Sequence, residues 1–436
     1  MNQYESEAIG RELEAFDWLP VQTDEPSDLC IINTCTVTQK AAMQSRQAVR
    51  QAIRANPGAR IVVTGCYAQT AADKLNKIDG VHDVIGHADK HKIANIFRSL
   101  KEVQESAPIS ICADMRDEHQ FNQFSETVCG TRTRPFLKIQ DGCSAWCTYC
   151  IVPFARGPSR SMPPADVLDH VKQLNGNGYH EVVLCGVHLG NYGLDLVPKT
   201  SLYELLRQID RLDLIERVRF SSIEPLELNK DIIGCVTDSH RFCRHFHIPL
   251  QSGDDRILKQ MHRPYTSQYF CDLVANINQR LPDAAIGVDI LVGFPGETDE
   301  AFETTYRLIQ KLPVAYLHVF PFSSHPSTAA SKFPDKIRSD VIKARCERLR
   351  NLGAEKRFRF YNGFIGQKLE VLIEETRDSE TGLLKGISSN YIPVFIDASD
   401  DRMNNIVQVK VEKLIKNKQP YASIYPSKSV KASESI

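Results

Sequence analysis

Apolar positions recur along this chain in three rhythms, and each predicts a different kind of structure. Residues 1–16 place Ile9, Leu13 and Phe16 at four- and three-residue spacing among acids and amides, the period of an amphipathic helix. Short apolar runs follow at 29–33 (LCIIN), 60–64 (RIVVT) and 83–86 (DVIG), separated by helical stretches such as 37–55. That alternation predicts a small parallel α/β domain over residues 1–105. A sheet of this kind normally begins with a strand, so the expectation is that a first strand is missing ahead of the opening helix. Residues 101–133 lose the rhythm and predict an exposed connection.

Over residues 130–362 the alternation lengthens. FLKIQ, EVVLCGV, RVRFSSI, HFHIPLQ, AIGVDILVGF and YLHVFPF are six strand candidates, most of them separated by helical segments. They predict an open, partial (β/α)6 barrel with its site at the C-terminal ends of the strands, followed by a long basic helix at about 336–360. Residues 363–430 change again: KLEVLIEE, LLKGISSN, IPVFIDA and IVQVKVEKLI are four strands with polar turns and no helix, the pattern of a small antiparallel β-barrel. The expected class is α/β, in three domains.

Composition narrows the function classes. Lys plus Arg total 53 against 54 for Asp plus Glu, so affinity for a polyanion must come from local patches. No run approaches the roughly 18 uncharged apolar residues of a membrane span, and there is no signal-peptide pattern, so the cytoplasm is the expected location. Thirteen cysteines in a long chain without an export signal predict reduced thiols, some of them metal ligands.

The strongest chemical signal is GCSAWCTYC at 142–150, which sets Cys143, Cys147 and Cys150 in a C-x3-C-x2-C array after the first barrel strand. Three thiolates on one loop can hold three irons of a 4Fe-4S cluster and leave the fourth open. A zinc site or buried apolar cysteines are the alternatives.

With Tyr149 before its third cysteine, this array resembles the cluster loop of the radical S-adenosylmethionine (SAM) superfamily. KIQDGCSAWCTYCIVPFARGPSRS, HIPLQSG and DILVGFPGET together resemble the methylthiotransferases, over essentially the whole chain. That resemblance implies an N-terminal domain carrying a second 4Fe-4S cluster, a radical SAM barrel, and a C-terminal RNA-binding β-barrel called TRAM. EVVLCGVHLGNYGLD and RVRFSSIEP are similar to the branch acting on N6-threonylcarbamoyladenosine beside the tRNA anticodon. The isopentenyladenosine branch, the ribosomal-protein branch and a single-cluster RNA-binding protein without thiolation are the alternatives.

The resemblance also assigns residues. It implies a SAM pocket that includes Tyr149, Gly186, Gln251, Ser252, Gly293 and Gly296, with ordinary strand-to-helix turns as the alternative for the glycines. Arg156 and Arg160 would hold tRNA phosphate or the SAM carboxylate, or else form surface ion pairs. His188, His245 and His247 receive no role. Cys35 and Cys66 match two of the three ligands of the family's N-terminal cluster. The third would lie two residues upstream of Met1, which stands at the family's Val position; a GTG valine codon read as a start would account for this. Cys30 is expected on the opposite strand face, and Cys112 and Cys129 in the connection.

Two basic stretches predict RNA contact. Residues 336–359 hold nine Lys or Arg, Arg345 and Arg348 among them, against three acids; residues 410–431 hold six lysines, including Lys410 and Lys413, against one. The partners implied are a tRNA anticodon stem-loop, an electron donor such as flavodoxin or ferredoxin, and a sulfur donor, with no membrane.

Overall fold

The computed structural model describes residues 1–22, 25–99, 107–124, 132–415 and 419–425. The opening helix, Asn2–Glu14, buries Tyr4, Glu5, Ala8, Ile9 and Glu12. Its inward stripe therefore carries two acids that the apolar pattern did not reveal. Behind it lies a parallel sheet with strands in chain order, Leu29–Thr34, Arg60–Gly65, Asp83–Ile85 and Ser110–Ile111. Tyr4, Ala8 and Ile9 pack with Val62, Ile85 and Phe97 on one face. Val49 of helix Gln39–Ala55 and Leu75 of helix Cys66–Leu75 pack with Ile61 and Val63 on the other.

The last strand of this sheet falls in the stretch expected to be an exposed connection. Ser110–Ile111 pairs with Val84 and Ile85, and Met115 and Phe124 are buried, so part of 107–124 belongs to the domain. Leu29–Thr34 is the other edge, and among the described residues its outer side carries no strand. A groove of about 750 Å³ runs along it, walled by Ile9, Leu13, Trp18 and Ala52.

All six expected barrel strands form: Phe136–Lys138, Glu181–Cys185, Arg217–Phe220, His245–Gln251, Ala285–Val292 and Tyr316–Pro321. They pair in parallel as two three-stranded ladders, joined by a bridge from Val218 to Phe242. Among the described residues the first and sixth strands do not pair, so the barrel is open on one side. Phe246, Ile248 and Leu250 point outward into the main core with Val288, Ile290 and the flanking helices. By the period-two rule, His245, His247, Asp289, Tyr316 and His318 line the lumen. Helix Ser339–Asn362 packs on the sixth strand through Gly353, whose missing side chain lets Leu317 approach.

The C-terminal barrel closes with five strands, Lys368–Arg377, Leu384–Ser388, Pro393–Ile396, Ile406–Ile415 and Gln419–Ile424. The fifth is short and carries Pro420, and it pairs in parallel with Pro393–Ile396, so the module is not wholly antiparallel. Its 387–391 turn caps the N-terminal mouth of the larger barrel. Arg217 donates to Ile387 O, Arg219 donates to Ser388 O and Ser389 O, and Tyr391 stacks on His245 with ring centroids 4.3 Å apart.

Candidate active site

The cysteine loop leaves the first barrel strand through a tight reversal. Gly142 has φ +71, and a Cβ there would lie 1.9 Å from Pro158 O, so only glycine lets the loop fold back on itself. Cys143 N then donates to Gly157 O at 3.0 Å and Cys150 N to Cys147 O at 2.9 Å. Thr148 anchors the loop to the rim: its N–H donates to Met261 O, and its carbonyl accepts from Ala330 N. Tyr149 packs against the cluster of Ile257, Met261, Leu291 and Phe294.

Each thiol meets a different neighbour. Cys143 Sγ lies 3.3 Å from His188 Nδ1, and His188 Nε2 bonds Glu227. Arg263 donates to Cys147 Sγ at 3.3 Å and is itself held by Glu224. Val152 N–H donates to Cys150 Sγ at 3.5 Å. Burial pushes the Cys150 thiol up to about 12 and raises Cys147 despite Arg263 beside it. A bound metal, which deprotonates its sulfur ligands, would offset that rise.

Among the described residues, the trios of His, Cys or carboxylate donor atoms within 4.8 Å of one another are His247/Asp289/His318 and Glu5/His87/Asp141. Cys143, Cys147 and Cys150 are three thiols on one loop, a donor set that suits a 4Fe-4S cluster ligated at three of its irons.

Gly186, Gln251, Ser252, Gly293 and Gly296 all gather at the C-terminal ends of barrel strands or just past them. Local packing explains several of them. A Cβ on Gly186 would meet Gln140 Oε1 at 2.8 Å, and one on Gly293, at φ +83, would meet Ile342 at 2.4 Å. The buried Ser252 hydroxyl faces Thr305 and accepts from Asp254 N, inside the fold. Gln251 sits at a bulge with φ +65, a strained conformation for a residue with a side chain. Gly296 has φ +81 and donates to Asp335 O.

Cys35 and Cys66 follow the registered pair Thr34 and Gly65, one strand spacing, roughly 5 Å, apart. Gly65 makes this possible: at φ +96 its Cβ would lie 2.3 Å from Thr34 O. Cys112 also follows a strand end, but two strands beyond Cys66, where its thiol donates to Ala68 O and burial raises it to about 11. Cys30 contacts Ser27 Oγ at 3.0 Å. Cys129 lies outside the described residues. Cys35 and Cys66 thus stand at the C-terminal ends of neighbouring strands.

The arginines past the cysteine loop require correction. Arg156 and Arg160, expected at phosphate or SAM, are each 3% exposed. Arg156 donates to Glu5 Oε1 at 2.9 Å, Asp141 Oδ1 at 2.9 Å and Asn2 Oδ1 at 2.7 Å. Lys90 joins Glu5 at 2.6 Å, Lys138 joins Glu5 and Asp141, and Arg160 reaches Glu118 O. Burial alone would raise Glu5 and Asp141, but Arg156 and the lysines hold both well below the carboxylate range. Asn2 also donates to Thr34 O, so this network ties the opening helix, the Cys35/Cys66 edge and the barrel loop together. The sequence showed these charges without showing that their partners lie up to 154 residues away.

The basic helix changes meaning too. Arg345 is buried against Glu297 at 2.7 Å and bonds Asp299. Arg348 pairs with Glu303 and lies over the Phe302 and Tyr306 rings. Lys356 is buried on the Gln310 and Leu312 carbonyls. Arg345 and Lys356 thus clamp this helix onto the barrel, while Lys343, Arg350, Arg357 and Arg359 stay exposed on its outer side. Lys410 and Lys413 are exposed on the small barrel, where Lys413 covers the Tyr421 ring and nearby Lys368 covers Tyr425 at 3.6 Å. Glu227, Arg263, Asp289 and His318 went unnoticed in the sequence, although polar residues alternating within apolar strands marked the last two as lumen-facing.

The comparisons agree with this architecture. A model of the Radical SAM superfamily matches residues 137–309, and one of the Uncharacterized protein family UPF0004 matches residues 1–86. A threonylcarbamoyladenosine tRNA methylthiotransferase from Bacillus subtilis is 36% identical over 95% of this chain and 92% of its own length. A tRNA-2-methylthio-N(6)-dimethylallyladenosine synthase from Clostridium botulinum is 31% identical over 95% and 92%. Among solved structures, the radical S-adenosylmethionine methyltransferase TsrM from Kitasatospora setae shares the fold, with TM-score 0.53 at 16% identity over 74% of this chain and 66% of that one. With a third of its residues shared over nine-tenths of such relatives, and three cysteines on the loop after the first barrel strand, this chain belongs to the methylthiotransferase family of radical SAM proteins.

Proposed function

We propose that this protein acts on tRNA, inserting sulfur at C2 of N6-threonylcarbamoyladenosine beside the anticodon and methylating it to the 2-methylthio nucleoside. The observation that carries the reading is the full-length similarity, at 33–36% identity, to relatives of that name from Bacillus subtilis, Aquifex aeolicus, Rickettsia prowazekii and Chlamydia pneumoniae. Cys143, Cys147 and Cys150 would hold the barrel's 4Fe-4S cluster. Once bound together with SAM, such a cluster would supply the electron for SAM's reductive cleavage to a 5′-deoxyadenosyl radical.

The chain's own residues position and shield. Arg263 and His188 stand against the Cys147 and Cys143 thiols, and Met261 O and Ala330 N fix the loop between them. Strand ends carrying Gly186, Gln251, Gly293 and Gly296 surround the space above the lumen, and the small barrel's 387–391 turn covers the opposite mouth. Cys35 and Cys66 supply two sulfurs at the sheet edge where a second cluster would deliver sulfur. Lys410 and Lys413, with Tyr421 and Tyr425, offer cations and rings to an RNA strand. The reading adds a cytoplasmic setting, an electron donor of the flavodoxin or ferredoxin kind and a separate sulfur donor; among the described residues no helix is long and apolar enough to cross a membrane.

The test is anaerobic reconstitution followed by iron and sulfide counting and nucleoside mass spectrometry on tRNA carrying threonylcarbamoyladenosine. About eight irons per chain and a methylthio product support the reading; about four irons and no product overturn thiolation by this chain.

A further inference from the structure

The lumen carries a polar constellation that the cluster chemistry leaves unused. Asp289 Oδ1 accepts from His247 Nε2 at 2.7 Å and lies 3.3 Å from His318 Nδ1. The three ligand atoms lie within 4.8 Å of one another, on three adjacent parallel strands. Gly287 leaves room beneath them: a Cβ there would lie 2.1 Å from the Tyr316 ring, whose hydroxyl bonds His245 at 2.7 Å and His247 at 3.2 Å. His247 is thus engaged at both nitrogens.

His318 is different. With Nδ1 turned to Asp289, its Nε2 has no hydrogen-bond partner among the described residues, and its side chain is 49% exposed on the strand that borders the barrel's open side. Phe320, two residues on and on the same strand face, is also exposed. The two imidazoles hold Asp289 down at about 2, so the carboxylate stays ionised and orients both rings.

Resting on the function proposed above, we propose that His318 reads the N6 substituent of the substrate base: as an imidazolium held between two carboxylates, it donates Nδ1–H to Asp289 and Nε2–H to the threonyl carboxylate, with Asp289 and His247 as positioning residues. The chemistry separates the two substrates named among the relatives. A threonylcarbamoyl group brings a carboxylate, a hydroxyl and urea N–H groups; a dimethylallyl group is hydrocarbon. Set against Asp289 and His318, hydrocarbon would strip water from both and return no hydrogen bond. The relatives of the two kinds differ little in overall identity, 33–36% against 31–32%, so the lumen bears on substrate independently of that number.

The test uses the full-length, anaerobically reconstituted protein and three anticodon stem-loops of one sequence, bearing adenosine, N6-threonylcarbamoyladenosine or N6-dimethylallyladenosine at the target position, with affinity read by fluorescence anisotropy. Wild type is expected to prefer the threonylcarbamoyl loop about ten- to a hundredfold, the range of one charge-assisted hydrogen bond. His318→Phe should shrink that preference to about twofold with the adenosine loop bound as before, and His318→Gln, which keeps a donor, should restore part of it. Three outcomes overturn the assignment: His318→Phe keeping the full preference, weakening all three loops equally, or losing RNA-independent 5′-deoxyadenosine formation, which places the imidazole at SAM. A wild type indifferent to all three loops overturns the substrate reading as well, which sets that failure apart.

Discussion

Arg156 is the residue on which the sequence and the folded chain disagree most sharply, and Arg156→Leu decides between them. The guanidinium is buried and serves Glu5, Asp141 and Asn2 at 2.7–2.9 Å. Removing one partner of a buried ion pair costs about 3–5 kcal/mol, because the remaining charge is left unpaired in a medium that solvates it poorly. Here Lys90 at 2.6 Å from Glu5, and Lys138 at 3.3 Å from Asp141, remain in place, which puts the loss near the lower end, about 3 kcal/mol. For a cooperative unit of about 150–250 residues this lowers Tm by about 6–12 °C. Calorimetry under argon measures that shift, and limited trypsin digestion should show the opening helix released first. A phosphate contact makes the opposite forecast: Tm within about 1 °C of wild type, and a log–log salt slope for RNA binding reduced by about one. That second result would refute the buried-latch account.

Three further outcomes follow from the same geometry. Burial and then the charge of Arg156 push His87 down to about 4, below its unfolded value near 6.5, so its contribution is full above about pH 6.5 and is lost as pH falls toward 4; Glu5 and Asp141, also depressed, extend the loss below about pH 4. Thermal midpoints followed from pH 7.5 to 4 should therefore fall from about pH 6.5 downward, and His87→Gln should flatten the upper part of that limb. Gly293→Ala forces a Cβ to 2.4 Å from Ile342 at a φ of +83, which should cost about 1–3 kcal/mol in urea unfolding; an unchanged midpoint would show that the final helix gives way freely. Lys410→Glu with Lys413→Glu should weaken stem-loop binding at 100 mM salt and lower its salt slope, whereas Arg345→Met should lower Tm and leave that slope alone.

The local patterns in the chain carried the fold a long way. Six barrel strands were legible because each is a short apolar run bounded by turn residues, and the cysteine loop because its spacing is itself the chemistry. The strand Gln419–Ile424 was not, since Pro420 breaks its pattern and its partners come from closure of the barrel. Nor were the roles of the charges, because periodicity reports which side of an element is apolar and cannot report that an opposite charge waits there from a distant element. Arg345 shows this within a single helix. It lies on the same inward stripe as Leu349, Leu352 and Lys356, and it reads as one more cation in a basic run until Glu297 is placed 2.7 Å away. The reverse holds for His318 and Asp289, which stand at alternate positions of apolar strands and so face the lumen by period alone. A polar residue inside an apolar rhythm is therefore the more informative signal here. In helix Asn2–Glu14 and in Arg156 it marks where domains are latched, and in the fifth and sixth barrel strands it marks where a substrate can be read.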